Sequence, residues 1–263
     1  MVVDEADVFF EDEQNFRAIK DISQHKDIKG NSNVQWILFS ATLPDANDDK
    51  ERNSLINKRI YEIFTEANQV RVKTEKLKLD HVKQFRFRCD DKKKLDFIKD
   101  VFEICDMTQT FIFVNSKDYA ERIHNKLRAA DLKSYIMFSK MSHEERDSTM
   151  ERFRNGEINV LISTNVIARG IDVPLAELVI NYDVPTKHKG EKGPIEGDPE
   201  TYLHRIGRTG RFGGKGIALT IYDRNEDEKY LDQILNYYNM KQDVKDLESP
   251  EQLRKLLEDL IKE

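Results

Sequence analysis

The sequence predicts an α/β protein whose core is a doubly wound parallel sheet. From about residue 82 onward, short runs of β-forming residues alternate with longer amphipathic segments. This is the order of strands and helices in a sheet of that kind. The short runs 110–114 and 160–163 are largely apolar and show no polar alternation, which is typical of parallel strands covered by helices on both faces. Such sheets bind their ligands at the carboxyl ends of the strands.

The predicted strands and helices follow one another along the chain. The strands are expected over Val82–Cys89, Thr110–Asn115, Ser134–Phe138, Asn159–Ser163, Leu178–Tyr182 and Gly216–Tyr222. The helices are expected over Lys92–Ile104, Lys117–Ala130, His143–Asn155 and Pro250–Ile261. Gly156 marks the end of the third helix, because glycine is common just after a helix. Residues 186–201 are rich in Gly, Pro and charge, so they are expected to form a long exposed loop.

The first 75 residues have the pattern of an incomplete domain. Met1–Asp4 is typical of the end of a buried strand, and Gln35–Phe39 is typical of a second strand. Two strands with one or two helices cannot close an independent core of this type. We therefore expect residues 1–75 to be the C-terminal remnant of one domain and residues 76–263 to form a second, complete domain.

The composition excludes several classes of protein. Of the 263 residues, 38% are hydrophobic and 35% are charged, with fourteen Phe and nine Tyr to form a core, so the composition is not that of a disordered chain. No apolar run approaches the roughly 18 residues that span a bilayer, and the first twenty residues carry six carboxylates, unlike a signal peptide. The two cysteines cannot form a disulfide framework or a four-ligand zinc site. We expect a protein of the nucleus or the cytosol with no membrane partner.

The net charge of −6 is unevenly distributed. Residues 76–222 hold 26 basic and 22 acidic residues, whereas residues 1–75 and 223–263 each hold five more acidic residues than basic ones. A mildly basic body between acidic flanks suits a protein that contacts phosphates through a local patch. Ordinary surface charge explains the same distribution equally well. Charge alone therefore does not decide whether the partner is a nucleic acid.

Two short polar segments follow the predicted strands of residues 1–75. Asp4-Glu5-Ala6-Asp7 stands where an α/β sheet presents carboxylates to a ligand, and two such groups can hold Mg²⁺ through water and activate a nucleophilic water. Ser40-Ala41-Thr42 follows the second strand, where small hydroxyl groups can hydrogen-bond carboxylates and backbone. The alternatives are an acidic segment of no consequence for the first segment and a helix N-cap for the second.

The sharpest signal is the segment His204-Arg-Ile-Gly-Arg-Thr-Gly-Arg211. Arg205, Arg208 and Arg211 are three residues apart, so on a helical turn they can project to one side. Their guanidinium groups suit the charge that develops on a transferring phosphoryl group. The two glycines allow the backbone to turn or to approach a neighbour closely. The alternative is a solvated basic turn, although two glycines would be an unusual way to build one.

The segment Thr164–Asp172 follows the predicted strand that ends at residue 163. It combines a hydroxyl, an arginine, a glycine and a carboxylate. Asp172 suits a ribose hydroxyl, and Thr164 and Arg169 suit phosphates. Taken alone, the segment is explained equally well as an ordinary connection between two strands.

Together and in this order, the four segments resemble those of a DEAD-box RNA helicase. The family's DEAD motif is matched at 4–7, its SAT motif at 40–42, its phosphate- and RNA-contacting segment at 164–172 and its HRIGRTGR motif at 204–211. Phe111–Val114 is similar to the family's fourth motif, and the resemblance covers essentially the whole chain. It implies two RecA-like domains, the second of them complete. It also implies an RNA-stimulated ATPase that remodels RNA or RNA–protein complexes.

The resemblance further implies roles for individual residues. Asp4 would hold Mg²⁺ through water, and Glu5 would orient or deprotonate the attacking water. Arg208 and Arg211 would reach the γ-phosphate of ATP as arginine fingers. The residues expected to link the nucleotide site to the domain interface are Asp7, Ser40, Thr42 and His204. Gly170 and Asp172 are expected to touch the ribose and phosphates of ATP, and Arg146, Thr164 and Arg169 are expected to contact the RNA backbone without reading its sequence.

Within the family, the likeness is greatest to the DEAD-box ATPase of mRNA export at the nuclear pore. It rests on His81–Phe85, on Thr164–Val166 and on an extended polar loop that ends in Asp198–His204. The implied substrate is single-stranded RNA in mRNA–protein particles. The implied partners are a nucleoporin and an export activator that uses inositol hexakisphosphate, and the implied protein is a monomer of the nucleus and cytoplasm. A translation-initiation or ribosome-assembly helicase is the alternative within the family.

Several features depart from the family pattern. The chain has Phe138-Ser-Lys-Met141 in place of a His-Gly-Asp-like turn and His143 in place of a glutamine, although Arg146 is kept. The sequence contains neither a GxxxxGK[ST] phosphate loop nor the adenine-reading glutamine motif, both of which precede the DEAD motif in the family. We therefore expect a truncated chain or an incomplete gene sequence, with negligible ATP hydrolysis by this chain alone. The rival from another class is a non-catalytic RecA-like module that binds RNA or protein.

Overall fold

The computed structural model describes residues 1–40, 43, 51–65, 68, 70, 79, 81–104, 109–138, 140–164, 176–188, 193–210, 216–223 and 226–262. The chain divides into two compact units, unit 1 (Met1–Arg71) and unit 2 (Val72–Glu263). Over the ranges given, no helix combines the length and the apolar character needed to cross a bilayer.

Unit 1 combines helices with a short parallel pair of strands. Its described elements are β1 (Val2–Val3), α1 (Ala6–Glu11), α2 (Glu13–Gln24), β2 (Ile37–Leu38) and α3 (Glu51–Ile63). β1 and β2 lie parallel, with Val2 opposite Ile37. α2 begins after Asp12, whose side chain accepts a hydrogen bond of 2.8 Å from the Asn15 amide, as is preferred at helix N-caps.

The buried core of unit 1 comes from its helices, and Val3 and Leu38 of the two strands pack against it while partly exposed. Its buried side chains come from all three helices and are Ala6, Phe10, Phe16, Ile19, Ile56 and Ile60. The two strands are shorter than predicted, and Val2 and Phe39 are 64% and 55% exposed. The prediction of buried strand ends is therefore wrong at these positions. The amphipathic helices bury apolar surface that two short strands cannot cover.

Unit 2 is built on a seven-stranded sheet in which every neighbouring pair is parallel. Its strands are β3 (Val82–Arg88), β4 (Thr110–Phe113), β5 (Ser134–Met137), β6 (Val160–Ser163), β7 (Leu178–Asn181), β10 (Gly216–Tyr222) and β11 (Val244–Asp246). Between β7 and β10 the chain forms a separate antiparallel hairpin of β8 (Thr186–His188) and β9 (Ile195–Gly197). Their order across the sheet is β11-β3-β10-β7-β4-β6-β5.

Helices cover both faces of this sheet. The helices of unit 2 are α4 (Asp91–Ile104), α5 (Lys117–Ala129), α6 (His143–Arg154), α7 (Pro199–Ile206), α8 (Glu226–Tyr237) and α9 (Pro250–Lys262). Along β4, Ile112 packs in the cluster of α4, α5 and α9, whereas Phe111 and Phe113 pack in the cluster of α6. Because both faces of the strand are buried, its sequence shows no polar alternation. The predicted doubly wound α/β fold is confirmed.

The predicted elements of unit 2 agree with the observed ones to within two residues at each end. Gly156 has a positive φ of 74° directly after the C-cap of α6, as expected of a glycine that ends a helix. The sequence analysis missed α7, α8, β11 and the β8–β9 hairpin. α7 starts at Pro199, which takes the first helical position after the N-cap Asp198.

The expected exposed loop at 186–201 is wrong in part, because the β8–β9 hairpin and the start of α7 occupy much of it. Gly197 explains the error. Its amide donates a hydrogen bond of 2.8 Å to the Gln233 side chain on α8. A Cβ atom at Gly197 would collide with the backbone carbonyl of Tyr230. The glycine therefore serves close packing of the hairpin on α8 rather than a free loop.

Candidate functional site

Two carboxylates stand directly after β1, at its carboxyl end. Asp4 is exposed and accepts a hydrogen bond of 2.9 Å from the Glu5 amide through Oδ1. Glu5 has a left-handed backbone with φ 50° and ψ 46° and is the N-cap of α1. That conformation is uncommon for a residue other than glycine and is enriched at functional sites. The Ala6 amide, which donates to the Phe39 carbonyl at 2.9 Å, holds the turn against the end of β2.

The SAT and DEAD segments meet in unit 1. Ser40 donates a hydrogen bond through Oγ to the Asp7 carboxylate, although the two residues are 33 positions apart in the chain. Asp7 is only 3% exposed. The contact is possible because β1 and β2 are parallel neighbours, so the residues after them emerge at the same edge. Thr42, predicted to act with Ser40, lies outside the described residues.

Arg208 follows α7 rather than lying on it. α7 ends at Ile206, with Gly207 as its C-cap, and the Arg208 amide donates to the Arg205 carbonyl at 3.1 Å. The Arg208 side chain is buried, with 6% exposure. His204 lies in the last turn of α7 and is half-buried. Arg211 lies outside the described residues.

Arg205 is held inside unit 2 by contacts with the carboxyl ends of β4 and β7. Its side chain is fully buried. One guanidinium nitrogen donates to the Asp183 carbonyl at 2.8 Å and the other donates to Asn115 Oδ1 at 2.9 Å. The guanidinium also lies over the Phe113 ring, 5.3 Å from its centre. The expectation that Arg205, Arg208 and Arg211 project to one side stays a prediction.

The RNA-contacting candidates lie after two neighbouring strands. Arg146 is half-buried in the first turns of α6, which follows β5, and Thr164 comes directly after β6. β5 and β6 are paired in parallel. The segments carrying these two residues therefore leave the same edge of the sheet. Arg169, Gly170 and Asp172 lie outside the described residues.

The turn that departs from the family pattern borders an open cleft. This cleft of about 340 Å³ is lined by His124, Tyr135, Ile136, Phe138, Met141 and Glu145. The Ser142 hydroxyl and the Glu145 carboxylate form a reciprocal capping box at the start of α6, which fixes the helix carrying Arg146. Lys117 lies over the Phe138 ring, 4.9 Å from its centre.

A buried charge cluster that the sequence analysis missed lies at the carboxyl edge of the same sheet. The Lys94 side chain is 1% exposed, and its ammonium lies 3.0 Å from Asp227 and 3.2 Å from Asp91. Burial lowers the pKa of Lys94, but the neighbouring carboxylates, Asp227 above all, raise it overall. Burial raises the pKa of Asp183, although the Asn115 amide donates to its carboxylate at 2.8 Å. The sequence offered one indication of this cluster, because acidic and amide residues stand at or directly after the ends of predicted strands.

Comparison with known proteins places these sites in a family context. Residues 93–213 match the family model described as the helicase conserved C-terminal domain. The chain is 38% identical over 205 residues to the ATP-dependent RNA helicase DBP5 of Mycosarcoma maydis. That match covers 76% of this chain and 41% of the relative. The chain thus spans about two fifths of the length of the curated relatives it matches.

Solved structures show the same likeness. Saccharomyces cerevisiae Dbp5 bound to RNA and ADP BeF3 is 30% identical, with a TM-score of 0.79, and the match covers 99% of this chain and 62% of that one. The C-terminal domain of an S. cerevisiae Dbp5 variant, bound to a Gle1 variant and IP6, is 31% identical with a TM-score of 0.59. That match covers 69% of this chain and 99% of the domain. A Dbp5 variant bound to Nup159, a Gle1 variant, IP6 and ADP is 27% identical with a TM-score of 0.68, covering 100% of this chain and 63% of that one.

Proposed function

This chain belongs to the DEAD-box family of ATP-dependent RNA helicases, and from that premise we propose that the protein uses ATP hydrolysis to remodel RNA or RNA–protein complexes. The observation that carries the proposal is the hydrogen bond from Ser40 to the Asp7 carboxylate. It joins two of the family's motifs at the carboxyl ends of parallel strands, where α/β sheets bind ligands.

The proposed chemistry divides between carboxylates and arginines. Glu5 orients the attacking water or accepts its proton, and the left-handed turn at this residue fixes its backbone. Arg208 and Arg211 stabilise the charge that develops on the transferred phosphoryl group. Gly170 and Asp172 contact the ribose and phosphates of ATP. Ser40, Asp7, Thr42 and His204 couple the nucleotide to the rest of the protein.

The carboxylates at the end of β1 fit a magnesium ion held through water. Asp4 and Glu5 offer hard oxygen ligands next to each other, and Asp4 is exposed. Among the residues that the structure describes, no three His, Cys, Asp or Glu side chains gather into a metal site. Mg²⁺ commonly keeps its waters and uses few protein ligands beside substrate phosphates. When bound, the ion would neutralise charge on those phosphates.

RNA binds, in this proposal, at the carboxyl edge of the unit 2 sheet. Arg146 and Thr164 follow the paired strands β5 and β6, and Arg169 belongs to the segment after β6. Contacts of this type go to the sugar–phosphate backbone and do not read sequence. In this proposal the contacts kink the bound strand, and a kinked strand cannot stay paired in a regular duplex.

We also propose a role in mRNA export at the nuclear pore, in the nucleus and the cytoplasm. The support is the likeness to Dbp5 relatives solved with RNA, with Gle1 and IP6, and with Nup159. The corresponding partners here would be single-stranded RNA in mRNA–protein particles, a nucleoporin, and an export activator that uses inositol hexakisphosphate.

A fusion enzyme tests the activity. In this fusion, the segment of the M. maydis relative that precedes the position equivalent to Met1 is joined to Met1 of this chain. We expect ATP hydrolysis stimulated by single-stranded RNA, lowered about 10²–10⁴-fold by Glu5→Gln and about 10³-fold or more by Arg208→Ala. Residues 1–263 alone should hydrolyse ATP negligibly. A fusion that binds RNA yet hydrolyses ATP no faster than its Glu5→Gln variant contradicts the proposal.

A non-catalytic binding module is the second candidate function. It is favoured by the match of this chain to 99% of an isolated Dbp5 C-terminal domain that binds a Gle1 variant with IP6. Binding of labelled single-stranded RNA or of S. cerevisiae Gle1 with IP6 to residues 1–263, together with an inactive fusion enzyme, would support it over the catalytic role.

A further inference from the structure

Arg205 is a buried cation that contacts the carboxyl ends of two neighbouring strands. It donates to the Asp183 carbonyl at 2.8 Å and to Asn115 Oδ1 at 2.9 Å, and it lies within 3.5 Å of Asn181 Oδ1. Burial lowers the pKa of Arg205 to about 9, so the group stays charged at neutral pH. A fully buried charge is costly unless it is paired and hydrogen-bonded. The contacts therefore strongly constrain where this side chain can lie.

Asn115 is the centre of these contacts. Its Oδ1 accepts from Arg205, its Nδ2 donates to the Val184 carbonyl at 2.8 Å, and its backbone amide donates to the Asp183 carboxylate at 2.8 Å. Asn115 follows β4 and Asp183 follows β7, and these two strands are paired in the sheet. A single guanidinium thus fixes α7 to the ends of both strands. Its fork geometry allows both hydrogen bonds at once, which an ammonium group cannot reproduce in the same positions.

The residues around Arg208 are anchored on both sides. On the N-terminal side, the Arg208 amide donates at 3.1 Å to the carbonyl of Arg205, whose side chain is held by the contacts above. On the C-terminal side, the Thr209 hydroxyl donates to the Ala176 carbonyl at 2.5 Å, and the Ala176 amide donates to the Arg208 carbonyl at 3.3 Å. The space beside Thr209 is so tight that a Cβ atom at Gly216 would collide with its hydroxyl. The backbone of Arg208 is therefore held between two fixed points.

We propose that Arg205 and Asn115 form a positioning pair, which holds α7 on the ends of β4 and β7 so that Arg208 meets the transferred phosphoryl group in the correct place. This inference rests on the proposed ATP hydrolysis. Of the two described arginines in the motif, Arg205 acts through Arg208 and does not touch the nucleotide. Misplacement of a catalytic group by about 1 Å can lower a rate about 10²-fold, so the pair acts on catalysis without contacting substrate.

A double-mutant cycle of Arg205 and Arg208 in the fusion enzyme tests whether Arg205 acts through Arg208. Arg205→Lys keeps the charge and loses the fork, and we expect it to lower kcat of ATP hydrolysis by about tenfold to a hundredfold with little change in KM for RNA. Asn115→Ala should act in the same direction. In the Arg208→Ala background, Arg205→Lys should have little further effect, because its action requires Arg208. Arg86→Lys is the matched control, since the Arg86 guanidinium also donates two hydrogen bonds, at 2.8 Å and 3.4 Å, to the Asp246 carboxylate, away from this site.

The outcomes separate the inference from the activity on which it rests. If Arg205→Lys lowers kcat by the same factor with and without Arg208, its role is general stability and the positioning role is wrong. If the wild-type fusion does not hydrolyse ATP, the proposed function fails, and amide hydrogen exchange in residues 1–263 tests the anchoring alone. Arg205→Lys should speed exchange in 205–210 while Arg86→Lys leaves that segment unchanged. Unchanged exchange there in Arg205→Lys overturns the inference.

Discussion

The buried ammonium of Lys94 lies 3.0 Å from the Asp227 carboxylate, which joins the first turn of α4 to the first turn of α8. Asp91 adds a second carboxylate at 3.2 Å, and the Tyr182 ring lies 5.7 Å from the ammonium. The three charged residues differ in their access to water, because Lys94 is almost completely buried while both carboxylates are partly exposed. Removing the cation and removing its main partner should therefore have unequal effects.

Asp227→Ala should destabilise the protein more than Lys94→Met. The first change leaves a buried ammonium with Asp91 as its remaining close carboxylate, a loss of about 3 kcal/mol. The second leaves two carboxylates that water can reach, and we expect a loss of about 1 kcal/mol. Urea unfolding followed by circular dichroism measures both. Asp246→Ala is the control, because Asp246 is an exposed partner of Arg86 and its loss should cost under about 1 kcal/mol. A larger loss for Lys94→Met than for Asp227→Ala would refute this account.

Ser40→Ala should destabilise unit 1 selectively. The change removes a donor from the buried Asp7 carboxylate, and hydrogen bonds to charged groups contribute about 1.5–3 kcal/mol. The chain has a single tryptophan, Trp36, which packs in the unit 1 core with its ring 5.3 Å from that of Phe64. Its fluorescence therefore reports unfolding of unit 1. Ser23→Ala, at an exposed hydroxyl on α2, should change the unfolding free energy of unit 1 by less than about 0.5 kcal/mol. If Ser40→Ala and Ser23→Ala had equal unfolding free energies in unit 1, the hydrogen bond from Ser40 to Asp7 would not stabilise it.

Glu5→Gly should stabilise unit 1 while removing catalysis. Glu5 has a φ of 50°, a conformation that costs a side-chain-bearing residue roughly 1 kcal/mol and costs glycine little. We expect a gain of up to about 1 kcal/mol in the Trp36 transition. Glu5→Gln keeps the backbone strain and should leave the unfolding free energy of unit 1 unchanged, although both variants should lower hydrolysis in the fusion enzyme by at least about 10²-fold. Glu11→Gly, at the last residue of α1, should instead lower stability, by up to about 1 kcal/mol. A loss of stability in Glu5→Gly would show that the left-handed turn stores no strain.

His124 should make unit 2 less stable at mildly acidic pH. Burial, aided by the nearby Arg128, lowers the pKa of His124 from its ordinary value of 6.5. The unfolded chain therefore binds the proton more readily, and the contribution of His124 to stability is lost as the pH falls through 6.5. The difference in unfolding free energy between wild type and His124→Gln should shrink between pH 7.5 and pH 5.5, as measured by urea titration. A difference that grows over this range would give the wrong sign.

Local patterns in the sequence determined much of the fold of unit 2. The apolar runs and amphipathic segments predicted β3, β4, β5, β6, β7 and β10 to within two residues, because burial on one or both faces imposes a period that a short segment carries by itself. The four motifs also pointed to the family on their own. Of the elements missed, β11 has only three residues, whereas α8 carries a helical pattern at Tyr230, Leu231, Ile234 and Leu235 that could have predicted it.

What only the tertiary structure decided is the direction in which side chains point and which distant groups they meet. The spacing of the arginines in 204–211 does not reveal that Arg205 turns inward to Asn115, 90 residues away in the chain. The meeting of Ser40 with Asp7 likewise depends on the parallel pairing of two strands. Local periodicity reflects burial along one segment, whereas these contacts depend on which segments become neighbours, and that is set by the packing of the whole unit.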